Sequence, residues 1–140
     1  MNRTALLDTS VIVAAFRTSE ATHGICARTL ATAPRTLTTT WPVLAEAFHL
    51  LRRESGAASK VIELVRNGLI RIEPLEPSFL DWYERFAATY QDRQVDLADA
   101  SLVHVAERLN VDTVLTLDRR DFEVYRIGGR DGFRILPEAM

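Results

Sequence analysis

Ala5-Leu6-Leu7-Asp8 near the start of the chain and Thr113-Val114-Leu115-Thr116-Leu117-Asp118 near its end share one pattern: a short β-prone apolar run that stops at an aspartate. A run this short, apolar on both faces and followed by a helix-period segment, reads as a buried strand of a parallel sheet. Similar runs stand at Thr36 to Thr39, Leu69 to Ile72 and Phe133 to Leu136. Helical spacing of apolar residues fills the intervals at Ser10 to Arg17, Ala21 to Ala31, Pro42 to Glu54, Ala57 to Asn67, Ser78 to Tyr90 and Leu97 to Leu109. Pro42 suits a first helical turn. Ser55-Gly56, Asn67-Gly68 and the run Gly128 to Gly132 are turn signals.

Strands separated by whole helices pair in parallel, with right-handed crossovers that cover both faces of the sheet. The expected fold is therefore α/β, a three-layer α/β/α sandwich around a mainly parallel sheet. The 140 residues, 47% hydrophobic and 26% charged, suit one domain over 1–140 with a real core. No stretch approaches the roughly 20 apolar residues of a membrane span. Cys26 is the only cysteine, which excludes an internal disulfide and a thiolate metal cluster and suits a reducing, cytoplasmic setting. A formal charge of -2 offers no global attraction to nucleic acid, so any such binding must come from local charge. Lys60 is the only lysine among the 17 basic residues. The others are arginines, whose planar fork suits phosphate, although a coding bias toward arginine explains them equally well.

The carboxylates carry the functional signal. Open parallel sheets bind ligands at the carboxyl ends of their strands, where Asp8 and Asp118 fall. Asp99 continues into the apolar stripe of Leu102, Ala106 and Leu109, and Glu46 is flanked on one helical face by Val43 and Leu50, so both are expected to face inward. Asp96 lies one turn before Asp99. Each aspartate also has a capping reading: Asp8 for the helix after it, Asp118 for the turn Arg119 to Phe122, and Asp96 for the helix of Asp99, where capping is its main expected role. Glu46 has no such role, and the coincidence of all four acids favours a site.

Carboxylates gathered in a partly buried cleft repel and are poorly solvated, and a hard divalent cation removes that penalty. Oxygen-only ligation points to Mg²⁺ or Mn²⁺, and so to metal-assisted phosphodiester hydrolysis. An aspartyl-phosphate phosphatase fits less well, since Thr9 and Ser10 follow Asp8 with no second acid and no lysine follows a later strand. His23, His49 and His104 are scattered, and Trp82, Phe86 and Tyr90, spaced by helical turns, read as packing, as do Trp41 and Tyr83.

Taken together, Leu6 to Ser10, Thr40 to Leu51 (TWPVLAEAFHLL), Asp96 to Ser101 (DLADAS) and Leu115 to Phe122 (LTLDRRDF) resemble the acidic motifs of the PIN-domain family, in order and over nearly the whole chain. The likeness is greatest to its VapC-type ribonuclease toxins. The resemblance implies an acidic quartet of Asp8, Glu46, Asp99 and Asp118, with Asp8 and Asp99 the foremost metal ligands. It adds support from Asp96, Thr116 and Thr9 or Ser10, while Arg119, Arg120 and Arg93 are candidates for RNA contact. It further implies PIN topology, cleavage of RNA, homodimerisation, and inhibition by a small cognate antitoxin protein. A housekeeping RNA-processing nuclease and a non-catalytic binding scaffold are the alternatives.

Overall fold

Ala5, Leu6 and Leu7 are fully buried, as an apolar run covered on both faces must be, and they form the central strand of the sheet. The computed structural model describes residues 4–32 and 36–138. The chain runs β1 (Thr4–Leu7), α1 (Thr9–Phe16), α2 (His23–Thr32), β2 (Thr36–Thr39), α3 (Trp41–Leu50), α4 (Ala57–Arg66), β3 (Ile70–Ile72), α5 (Phe79–Thr89), α6 (Leu97–Leu109), β4 (Thr113–Leu115), α7 (Arg119–Phe122) and β5 (Arg134–Leu136).

The five strands are ordered β3-β2-β1-β4-β5, and every pairing is parallel. Register places Leu7 beside Leu115, so the residues that follow these strands, Asp8 and Thr116, emerge side by side. The chain winds from β1 toward β3 and then, after α5 and α6, from β4 toward β5. With right-handed crossovers, two opposite windings put helices on both faces. They also open a crevice between β1 and β4, where the order reverses, and this is where open α/β sheets bind ligands.

The helices close on this sheet through apolar faces. Val11, Ile12, Val43, Ala47, Val61, Leu102, Val103 and Ala106 are all buried. Hydroxyl groups stitch the strand ends to the helices that follow. Thr39 Oγ1 donates to the Leu7 carbonyl at 2.8 Å, tying β2 to β1. Ser101 Oγ donates to the Ala98 carbonyl at 2.6 Å. Its oxygen is thereby left to accept from Thr40 Oγ1, also at 2.6 Å, which joins the start of α3 to α6.

The ends of α3 and the loop before β5 depart from expectation in instructive ways. α3 stops at Leu50, earlier than the Glu54 expected: the Leu51 N–H still closes a helical bond to the Ala47 carbonyl at 2.9 Å, but the Arg52 N–H turns to the His49 carbonyl at 3.3 Å, a tighter i→i−3 step. Residues 51–56 then form turns, ending on Gly56 at φ 74°. Gly128 and Gly129 also take positive φ, 60° and 75°, and let the chain reverse between Ile127 and Asp131, which pair in an isolated bridge. Arg119 to Phe122, expected only as a turn, closes into the single-turn helix α7.

Candidate active site

Asp8 begins the site because the backbone gives it no freedom to be elsewhere. Its N–H donates to the Leu115 carbonyl at 3.0 Å, extending the β1–β4 ladder by one residue, and its side chain is 1% exposed. Thr116, at the matching position after β4, donates from Oγ1 to Asp8 Oδ2 at 2.6 Å. The same hydroxyl oxygen accepts the Asp118 N–H at 3.0 Å, so one threonine orients two acids. Ser10 Oγ lies 3.4 Å from Asp8 Oδ2, too far for a firm bond, and accepts the Leu117 N–H at 2.9 Å. Ser10 therefore pins the segment between Thr116 and Asp118. Thr9 Oγ1 turns away from the acids and lies 3.4 Å from the Val43 carbonyl.

Asp99 comes in from α6. Asp96 caps that helix by accepting the Asp99 N–H at 2.9 Å, as the capping reading expects. The cap fixes the first turn so that Asp99 points inward, 7% exposed, while Asp96 itself stays in solvent. Leu102 and Ala106 continue the buried stripe, but Leu109 at its end is 38% exposed. Neither Asp8 nor Asp118 uses its carboxylate to cap the helix that follows. The capping alternative thus fails for both.

Burial and mutual repulsion set the electrostatics of these acids. Burial, opposed by the Thr116 hydrogen bond and reinforced by the Asp118 charge, pushes Asp8 up from 3.8 to about 7. Burial, reinforced by the charges of Asp8, Asp96, Asp118 and Asp121, pushes Asp99 from 3.8 to about 9. Asp118, on the exposed rim, is also raised, by burial of its carboxyl group and then by the Asp121 charge.

Glu46 corrects the sequence reading. It is exposed on α3 rather than turned away from open water as expected. The buried residues of this helix are Val43, Leu44 and Ala47, continued by Leu51 just beyond its end, whereas Leu50 is 41% exposed. The apolar stripe therefore centres on Val43, Ala47 and Leu51, and Glu46 falls on its flank with Ala45, His49 and Leu50. Centring the stripe on Val43 and Leu50 had turned the glutamate inward.

Sequence reasoning also missed two members of the neighbourhood. Asp121, one helical turn after Asp118, adds negative charge to both Asp99 and Asp118. Its spacing from Asp118 was the available signal. Tyr125, 1% exposed, packs against Phe86, Tyr90 and Phe122, and burial together with the charges of Asp99 and Asp121 raises its phenol above the usual range. Nothing in the local sequence marks it. Of the candidate RNA-contact arginines, Arg93 donates to Asp121 Oδ1 at 2.8 Å, and Arg119 donates to the Pro137 carbonyl at 3.2 Å and lies 3.5 Å from Glu123. Arg120 is exposed.

Among the described residues no three Asp, Glu, His or Cys side chains already surround one point as metal ligands would. The donor chemistry nevertheless suits a hard cation: the groups gathered here are carboxylates, two of them buried and mutually repelling. Asp8, Asp99 and Asp118 are the residues that would hold it.

The comparisons with known proteins agree with this architecture. The PIN domain family model matches residues 5–128. Ribonuclease VapC26 of Mycobacterium tuberculosis is 28% identical over 134 residues, covering 94% of this chain and 99% of that protein. The crystal structure of Mycobacterium tuberculosis VapC20, described as a sarcin-ricin loop cleaving toxin, superposes with a TM-score of 0.73 at 22% identity, over 82% of this chain and 90% of that one. By a match that takes in both strand-end aspartates, Asp99 and the whole crevice between β1 and β4, the chain belongs to the PIN domain family.

Proposed function

We propose that the protein is a Mg²⁺- or Mn²⁺-dependent endoribonuclease that hydrolyses RNA phosphodiester bonds, and that it is the toxin of a toxin-antitoxin pair. The observation that carries this reading is the convergence of Asp8, Asp99 and Asp118 from separate stretches of chain at the crevice where the strand order reverses. The ribonuclease VapC26 and the RNA-cleaving toxin VapC20 lend it support as relatives in sequence and fold respectively.

Each residue has a definable task in such a reaction. Asp8 is held by the ladder and by Thr116, so its carboxylate is oriented before any ligand arrives. Asp99 opposes it from the capped end of α6. Asp118 closes the rim, oriented through the Thr116 bond to its backbone. A divalent cation held by these acids would polarise the phosphodiester and lower the pKa of water. A carboxylate of the set is the group that would take the proton from the attacking water. Glu46, exposed on α3, enters the quartet on the family resemblance alone. Arg120, exposed and two residues after Asp118 in the chain, is the arginine assigned to a substrate phosphate in this reading.

Homodimerisation, inhibition by a small antitoxin and a cytoplasmic location belong to the same proposal. No described helix is long and apolar enough to cross a membrane. Trp41 and Leu50, 62% and 41% exposed at the two ends of α3, are apolar surface that a protein partner would cover. The test is to incubate the purified protein with total cellular RNA, with and without Mg²⁺ or Mn²⁺, and to map new 5′ ends. Discrete metal-dependent cuts are expected, and intact RNA under all conditions overturns the reading.

A further inference from the structure

The three acids that would hold a cation are not steadied alike. Asp8 accepts the Thr116 hydroxyl at 2.6 Å, and Asp118 is oriented by the same oxygen through its backbone N–H. Asp99 has only the bond from its own N–H to Asp96, which fixes the first turn of α6 and leaves the carboxyl itself unheld. That carboxyl is 7% exposed and makes no hydrogen bond among the described residues. Carboxylates that bind metal ions are ordinarily held in turn by a hydrogen-bonding group behind them.

Tyr125 carries the complementary group. It is 1% exposed, and its phenol hydrogen-bonds to nothing among the described residues. Buried tyrosine hydroxyls usually have a partner, because burying one without is costly. The ring has little freedom to turn elsewhere, since it packs on Phe86 at 5.3 Å, on Tyr90 at 5.2 Å and on Phe122 at 5.6 Å. Phe86 and Tyr90 belong to the row read as packing from its helical spacing, and Trp82 backs Phe86 at 4.7 Å, so that row is the wall that sets the tyrosine. The Tyr90 hydroxyl is itself engaged, accepting the Arg126 N–H at 3.0 Å. Besides burial, the charge that bears most on the Tyr125 phenol is that of Asp99, ahead of Asp121. Asp121 is already paired with Arg93 at 2.8 Å and is partly solvated. Asp99 is the buried acid without a partner. The phenol resists ionisation in these surroundings, so near neutral pH it donates, and an ionised carboxylate only accepts.

We propose that Tyr125 is a positioning residue of the candidate metal site, its phenol donating to the ionised Asp99 carboxylate as the Thr116 hydroxyl donates to Asp8. The role rests on the ribonuclease reading and adds to it a residue that lies outside all four acidic motifs. A carboxylate already held by a hydroxyl loses less rotational freedom when an ion binds, and such partners raise metal affinity in this way.

The test compares the full chain with its Tyr125→Phe and Tyr90→Phe variants. Mn²⁺ is titrated in the absence of RNA, and the free ion is counted by electron paramagnetic resonance. Tyr125→Phe keeps the ring and removes only the oxygen, and it should weaken Mn²⁺ binding by about tenfold to a hundredfold. Without metal its melting temperature should be unchanged or higher, because the oxygen removed was buried without a partner. Tyr90→Phe removes a neighbouring phenol engaged elsewhere and should leave Mn²⁺ affinity as in the parent. RNA cleavage by Tyr125→Phe should fall at limiting Mn²⁺ and recover as the ion is raised. Unchanged Mn²⁺ affinity in Tyr125→Phe, or an equal loss in Tyr90→Phe, overturns the proposal. So does a lower metal-free melting temperature for Tyr125→Phe, which would make the hydroxyl a structural one. A parent that binds Mn²⁺ and cuts RNA, beside a Tyr125→Phe variant that does both equally well, sinks this role alone, whereas a parent that does neither sinks the nuclease reading.

Discussion

Replacing Asp99 by asparagine is expected to abolish RNA cleavage and, in the absence of metal, to make the protein more stable. Asp99 is 7% exposed and its carboxyl is raised from 3.8 to about 9. In the folded state at about pH 7 it therefore holds its proton, which the unfolded chain releases. A group with its folded pKa raised contributes fully below the unfolded value, and that contribution drains away as pH climbs toward the folded value. Between 3.8 and neutrality lie about three pH units, worth on the order of 4 kcal/mol at about 1.4 kcal/mol each. Asparagine keeps the shape and cannot ionise, so the substitution recovers up to that amount at neutral pH and nearly nothing at about pH 4. Thermal unfolding followed by circular dichroism would register a rise on the order of 10 °C at pH 7 for a chain of this size. Saturating Mg²⁺ should stabilise the unsubstituted protein far more than the variant and so narrow the gap. A variant less stable than the parent at pH 7, or a difference that does not change with pH, would refute the idea that these acids are poised for a cation.

The supporting residues yield further expectations. Thr116→Val removes the 2.6 Å bond to Asp8, a charge-assisted contact worth about 1.5–3 kcal/mol. Asp8 should then titrate still higher, so the acidic limb of the pH–rate profile moves to higher pH and cleavage at neutral pH falls by about tenfold or more; an unshifted profile would show that Thr116 only packs. Glu46→Gln, at an exposed position, should cost cleavage markedly less than Asp99→Asn, and equal losses would mean that the glutamate swings into the crevice when metal binds. Arg93→Ala breaks the 2.8 Å pair with Asp121, which is partly solvated and so worth under about 1 kcal/mol in stability. It nonetheless leaves Asp121 unneutralised beside Asp99, and titration calorimetry should show tighter Mg²⁺ binding, with unchanged affinity counting against a role for Asp121 in the cluster.

What the sequence disclosed, and what it withheld, follows from the range of the forces involved. Strands and helices were readable because Ala5 to Leu7 is an unbroken apolar run and Leu97 to Leu109 carries its own period, and because a strand that ends in Asp8 cannot hide where the acid emerges. The inward turn of Asp99 was readable too, since one helical face decides it and the Asp96 cap fixes the first turn. Glu46 was misjudged because Val43, Leu44, Ala47 and Leu51 define a stripe whose centre depends on how α3 lies against α1 and α6, and that angle is a tertiary quantity. Tyr125 was invisible for a stronger reason. It comes within range of the Asp99 charge only after α7 has turned the chain and Phe86, Tyr90 and Phe122 have enclosed its ring, so its meaning lies in its surroundings rather than in its own stretch of sequence. Local pattern thus places the acids that sit on strand ends and capped helices, while the walls that bury them and so raise their pKa values arise only from packing. A site of this kind is half written in motifs and half in the core that surrounds them.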